Sequence, residues 1–389
     1  MEFARRANVS PLLSADRLAE LTSKLVAVPS VNGQHGEAAL ADLVRQELES
    51  AGFTTELVGS AERPSLAAVG GNDAKVLLNG HTDTVPVDDP EHWRFDPFGG
   101  VNADGAVHGR GACDMKGGLA IQVAVAQWLA SEGTSDGLVL HFAMGEERGE
   151  PGTEDLIGAG FTAPLGVVLE PTDFKVGVAQ RGLMTIRIRV IGRAGHASRP
   201  DLTDNPIDRV PTVLGVIKGF ETESGVRHDL LGSPTWTTTG IHSGIIPSMV
   251  PGQSEILVDR RMIPGETVDS VMRSLDSALG LALPNDRIET SIVEQEGIYE
   301  PAEISSTAAV VDLMATALES CGEDVELFGT PYSSDIRHLI NAAGIEAVTF
   351  GPGRFTEMHA RDEFIEISHL ARGAKAVAVF SALAIRAAV

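Results

Sequence analysis

The sequence predicts an α/β protein that carries an inserted domain of a second, α+β kind. Three observations point there. Strand-like and helix-like runs alternate through the first 180 residues and again after residue 293, the pattern of an α/β fold. Near Arg181 the character changes, because Leu183 to Ile191 alternates apolar and basic residues (Ile186, Arg187, Ile188, Arg189, Val190), as a half-exposed antiparallel strand does. The elements that follow read β-α-β-β-α-β, the ferredoxin-like order. At 389 residues the chain exceeds the size at which one core keeps growing, so two domains are expected: 1–180 with 294–389, and 181–293.

Taken in order, Ser14 can cap a helix whose Leu18, Leu21, Leu25 and Val26 recur at helical spacing, and Pro29 ends it. A second helix spans about Glu37 to Ser50 and stops at Gly52. Strands are expected at Thr54–Val58, Leu66–Val69 and Lys75–Asn79, then a helix at Leu119–Ala130, a strand at Leu138–Ala143, a short helix near Thr153–Ile157 and a strand at Gly166–Leu169. In the inserted part a helix over about Pro206–Phe220, strands Thr235–Ile241 and Glu255–Arg261, a helix near Val268–Leu279 and a strand near Arg287–Val293 follow the first strand. The chain closes with a helix from Ala308 to Leu318, a strand Ala347–Phe350, the turn Gly351-Pro352-Gly353 and a last helix of about Leu370–Ala388.

Composition narrows the classes of partner. The formal net charge of -24 repels nucleic acid and anionic membrane surfaces, so neither is expected as a partner. Cys113 and Cys321 make no disulfide framework, no export signal is legible in the first 31 residues, and no stretch has the roughly 18 uninterrupted apolar residues of a membrane span, so a cytoplasmic location is expected.

The chemistry gathers around Gly109-Arg110-Gly111-Ala112-Cys113-Asp114-Met115-Lys116-Gly117-Gly118, a single carboxylate among glycines that free the backbone. His81 follows one apolar strand, Glu146 and Glu147 follow another, Glu170 ends a third, and His359 sits in Met358-His359-Ala360-Arg361-Asp362-Glu363. In an open α/β sheet, residues past the carboxyl ends of strands meet in one crevice. Imidazoles and carboxylates together suit a hard-to-borderline divalent metal. Singly, each has a plain reading: a structural histidine, a solvated glutamate pair, a turn aspartate. Their joint placement after successive strands favours a metallohydrolase.

These segments, with His81-Thr82-Asp83-Thr84-Val85-Pro86 and Trp93 to Phe98, resemble in order the motifs of the two-zinc amidohydrolases and peptidases: acetylornithine deacetylase, succinyl-diaminopimelate desuccinylase, aminoacylase and glutamate carboxypeptidase. The resemblance covers nearly the whole chain. It implies a catalytic α/β/α domain with a mixed sheet and an inserted ferredoxin-like domain that serves as lid and dimerisation surface. It implies Asp114 bridging two divalent ions, zinc foremost with cobalt or manganese as alternatives, His81 and Glu170 completing one position and Glu147 and His359 the other. By the same resemblance Asp83 orients His81, Glu146 is the general base, and His196 reaches a neighbouring subunit's site in a homodimer. Arg261, Ser248 and Gly353 would contact substrate, with Tyr332 to Asp335 lining the pocket, and the Asp114–Met115 peptide would be cis. Many relatives carry Asn where this chain has Ser248. Cys113 reads as a small buried residue rather than a nucleophile.

The activity implied is removal of an acyl group from the nitrogen of an amino acid. A dipeptidase or carboxypeptidase on the same scaffold is the alternative. A non-catalytic binding protein would be expected to have lost ligands or base, and every one of those positions is filled here.

Overall fold

Four apolar runs, Val76–His81, Leu138–Ala143, Leu165–Val168 and Glu346–Thr349, pair in parallel at the centre of the main sheet. Parallel strands are covered on both faces, and their residues alternate between two apolar layers. Leu78, Leu140, Val167 and Val348 face one layer, and Leu77, Val139, Val168 and Ala347 the other. The computed structural model describes residues 2–34, 36–223, 225–293 and 297–387.

Strand Pro64–Val69 pairs antiparallel with Leu138–Ala143, and Thr54–Gly59 pairs antiparallel with Pro64–Val69 at the edge, so the sheet is mixed. One face is covered by helices Ala15–Val26, Glu37–Glu49, Gly117–Ser131, Ala309–Cys321 and Ile367–Arg386. Helix Gly152–Gly158 and the turn His338–Ala342 cover the other, completing an α/β/α arrangement. Helix Gly117–Ser131 has 12 of its 15 residues buried, so it lies between the sheet and the final helix rather than at a surface. Removing one such buried leucine, Leu119→Ala for example, costs about 2–5 kcal/mol.

The chain separates into two compact units: the described residues through Val178, with Glu303–Phe328 and Ser334 onward, form the first, and Ala179–Ala302 with Gly329–Ser333 the second. The expected return at Glu294 and the expected helix end at Ala388 lie outside the described residues.

In the second unit the strands stand in the order Thr235–Ser243, Gln253–Met262, Gly182–Ile191, Arg287–Ile292, all neighbours antiparallel. This is the ferredoxin-like order. Its alternation works as expected: Met184, Ile186, Ile188 and Val190 bury against Val213 and Ile217 of one helix and Val271, Leu275 and Leu279 of the other. Arg187 and Arg189 on the opposite face pair with Glu255, at 3.2 and 3.0 Å.

Several elements differ from the sequence reading. The third strand runs to His81 itself, which therefore ends the strand instead of following it. The Asp114 loop, Ala112–Lys116, is kinked rather than helical, with Asp114 at φ -116°, ψ 95° and Met115 at φ -130°, ψ 35°, and it leads straight into its helix at Gly117. A short helix Glu2–Val9 buries Phe3, Ala4 and Ala7, and a small sheet aligns Val101–Ala103, Ala106–His108 and Phe364–Glu366.

Candidate metal centre

The carboxyl ends of the parallel strands bring the site together. His81 closes one strand, and Glu146 and Glu147 follow Leu138–Ala143 through Gly145, whose φ of 80° turns the chain sharply. Glu170 follows Leu165–Val168. Asp114 enters from the loop after Gly111 (φ 82°), and its peptide bond to Met115 is cis, as the resemblance implies.

Asp114 divides its two oxygens between two histidines. Oδ1 lies 3.1 Å from His81 Nε2, and Oδ2 lies 3.2 Å from His359 Nε2. Glu170 Oε1 is 3.4 Å from the same His81 nitrogen, and Glu147 Oε2 is 3.0 Å from the same His359 nitrogen. Two donor groups thus share one carboxylate: His81 with Glu170, and His359 with Glu147. His81, Asp114 and Glu147 each offer an atom within 4.8 Å of the others, as do His81, Glu146 and Glu170. The His359 side chain is 50% exposed against 7% for Glu147 and 3% for Asp114, so the centre opens to solvent on the His359 side.

Burial and charge crowding set the protonation. Burial works against a charged His81, but Glu170, Asp114 and Asp83 outweigh it and raise its pKa well above the ordinary value. Hydrogen bonds to Asp114 and Glu147 push His359 up to about 11. Burial, reinforced by the Asp114 charge, raises Glu147 and Glu170 each to about 7. Asp114 is also buried, yet His359 and His81 hold its carboxyl well below the usual range. Burial raises Glu146 strongly.

The residues fit divalent cations. Glu147 Oε1 and Glu170 Oε2 are buried without a hydrogen-bond donor, and a buried carboxylate oxygen is costly unless it meets a donor or a cation. The mix of imidazole nitrogen and carboxylate oxygen suits zinc, cobalt or manganese.

Asp83 has a broader job than the sequence suggests. His81 Nδ1 donates to the Asp83 main-chain carbonyl at 2.9 Å, while the carboxylate oxygen is 3.5 Å away. With its Nδ1–H so engaged, His81 turns its Nε2 toward the centre, where Asp114 and Glu170 face it. The carboxylate of Asp83 instead accepts from the backbone N–H groups of Glu146 and Glu147, both at 3.1 Å, and from Asn32 Nδ2 at 2.6 Å. Three residues without an expected role stand nearby: Asn32, Arg110 and Glu363. Arg110 and Glu363 are buried in the loops beside Asp114 and His359. Nothing in periodicity marks them, and only their place inside the quoted motifs could have drawn notice.

Gly353 lies in the first unit with φ 91°, and a Cβ there would come 2.6 Å from Cys113 Sγ, so the turn packs on the Asp114 loop. Cys113 is buried, with its thiol pKa raised by burial. His196, Ser248 and Arg261 belong to the second unit. His196 is exposed on a two-residue strand, its Nδ1 accepting from the Ser198 amide at 3.1 Å. With Ser248, Ile246 and Met249 it lines a hollow of about 340 Å³. Arg261 pairs with Asp259 of its own strand, Nε to Oδ1 at 3.0 Å. Among the described residues, no helix is long and apolar enough to cross a membrane.

A layered α/β scaffold that gathers a buried histidine and carboxylates at its strand ends, faced by a half-exposed histidine from a loop, defines a metal-dependent hydrolase. Residues 77–382 match the model of Peptidase family M20/M25/M40, and the chain belongs to that family. It is 34% identical over 372 residues to a succinyl-diaminopimelate desuccinylase of Cereibacter sphaeroides, covering 90% of this chain and 94% of the relative. Among solved structures it is similar to aminopeptidase PepT of Bacillus cereus, with TM-score 0.79 and 18% identity over 96% of this chain and 99% of that one. It is similar too to the YXEP protein of Bacillus subtilis, described as a dinuclear metal-binding peptidase of the M20 family, with TM-score 0.72 and 15% identity over 95% and 98%.

Proposed function

We propose that this metal-dependent amidohydrolase removes the acyl group from an N-acyl amino acid, using two divalent ions held by His81, Asp114, Glu147, Glu170 and His359. The division of Asp114 between His81 and His359 carries the reading, because one carboxylate with an oxygen aimed at each imidazole is the arrangement a shared bridging ligand requires. The desuccinylase relatives and the dinuclear YXEP protein support it. Zinc is the first candidate by donor set. The cations supply Lewis acidity: they polarise the amide oxygen and lower the pKa of water.

The chain's own groups do the rest. Glu146 takes a proton from the attacking water and passes it to the leaving nitrogen. Asp83 fixes the backbone amides of Glu146 and Glu147, so base and ligand stay in one geometry. His196, from the other subunit of a homodimer, steadies the developing oxyanion, and Arg261 grips the substrate carboxylate by exchanging its Asp259 contact. Ser248 and Gly353 flank the substrate. Free thiols at Cys113 and Cys321 suit the cytoplasm.

The test is turnover by zinc-, cobalt- and manganese-loaded protein of a panel of N-succinyl and N-acetyl amino acids, dipeptides and tripeptides. Hydrolysis of N-acyl amino acids above the peptides is expected. Preference for peptides would move the assignment to a peptidase, and no turnover despite metal loading would leave a binding protein.

A further inference from the structure

Outside the donor set, the most heavily bonded buried charge near the centre is Glu363. Its Oε2 accepts from Arg110 Nη1 at 2.7 Å and from the Gly111 amide at 3.0 Å. Its Oε1 accepts from the amides of Cys113 and Asp114, at 2.9 and 3.0 Å. One side chain thus fixes three amides of the loop that presents Asp114. Arg110 returns the hold: its guanidinium donates to the Ala360 carbonyl at 3.2 Å and the His359 carbonyl at 3.4 Å. Both partners are buried, and the Trp93 ring covers the guanidinium at 5.2 Å.

The reciprocity follows from local topology. Strands Ala106–His108 and Phe364–Glu366 pair antiparallel, and the Gly109 amide extends the ladder to the Glu363 carbonyl at 2.9 Å. Beyond that point both chains leave the ladder, one toward Asp114 and the other back toward His359. Side chains must then do what backbone pairing no longer does. His359 needs this most, with φ 60° and a half-exposed ring. His81 has a sheet strand behind it; His359 has a loop.

We propose that Arg110 and Glu363 are positioning residues, a clasp that holds the Asp114 and His359 loops in register and so sets the affinity of the His359–Glu147 metal position. The inference rests on the two-metal reading above. A buried pair that served the fold alone would weaken both metal positions together, or neither. A clasp weakens the His359 side selectively, because the His81–Glu170 side draws its other donors from strand ends.

The experiment titrates cobalt(II) into metal-stripped full-length protein, read by calorimetry and visible absorption, for the wild type, Arg110→Met, Glu363→Gln and the double variant. Wild type is expected to bind two ions in two resolvable steps. Each single variant should keep one step within about threefold and weaken the other by tenfold or more. The double variant should lose no more than the worse single, because the pair acts as a unit. Circular dichroism and the melting temperature of the metal-free protein report folding. Should a single variant fail to fold, Arg110→Lys and Glu363→Asp replace them, with the same one-sided weakening expected at smaller size. Two unchanged steps in a folded variant overturn the clasp, and so does equal weakening of both. A wild type that takes up only one ion overturns the two-metal reading, and the clasp falls with it.

Discussion

Loading the metal-free centre with zinc should release about three protons per chain at pH 7 from its five ligands, beyond what Glu146 gives up, since ligation needs neutral imidazoles and ionised carboxylates. His359, at about 11, and His81, well above its ordinary value, each carry a proton that must leave. Glu147 and Glu170, both near 7, are each half-protonated there, whereas Asp114 is already ionised. The sign is fixed: every released proton makes binding tighter as pH rises. The two glutamates also give the release a pH dependence, from nearly four protons at about pH 6 to nearly two at about pH 8. Each proton is worth about 1.4 kcal/mol per pH unit, so the summed zinc affinity should change by roughly 4 kcal/mol per unit around pH 7. Calorimetric zinc titrations at three pH values, each in two buffers of different ionisation enthalpy, count the protons directly. A count near zero, or one that stays constant across this range, would refute the view that protons occupy the centre until cations displace them.

Other outcomes follow from single contacts. Glu146→Gln should keep metal uptake and fold yet lose about a hundredfold or more in kcat, because an amide accepts no proton; near-normal turnover would remove Glu146 from the mechanism. Mixing inactive His196→Ala chains with inactive Glu146→Gln chains should restore part of the activity once subunits exchange, and no rescue after proven exchange would argue against a shared site. Gly118→Ala places a Cβ 2.4 Å from the Leu169 carbonyl, one residue before Glu170. It should destabilise by about 1–3 kcal/mol, seen as a lower denaturation midpoint, with weaker metal binding; wild-type values for both would show that the loop yields freely.

What the sequence made legible was whatever repeats with a period or breaks one. The runs ending at His81 and before Glu146 and Glu170 are apolar enough to mark central strands, and strand ends are where an α/β sheet gathers its chemistry. The alternation from Leu183 to Ile191 gave away the second unit's sheet, since its two faces meet different surroundings. Short elements escaped. The three-residue strands Val101–Ala103, Ala106–His108 and Phe364–Glu366 are too brief for any period, yet they align the Asp114 and His359 loops. The work of Asp83 escaped for a different reason. Its carboxylate serves amides far along the chain, at Glu146 and Glu147, and no local pattern encodes which distant amide a side chain will meet.

The order in which the centre's parts leave the ribosome bears on when it can exist. His81, Asp114, Glu147 and Glu170 are made early, but His359 and Glu363 come near the far end of the chain, as does strand Glu346–Thr349, which seals Leu165–Val168 in the sheet. Pairings over such sequence distances form late, because the loop between them must close before any contact rewards it. A growing chain therefore carries half a cage of carboxylates with no second imidazole to balance them. Metal capture belongs to the end of maturation. Refolding followed with and without zinc should share its early phases and diverge only in the last.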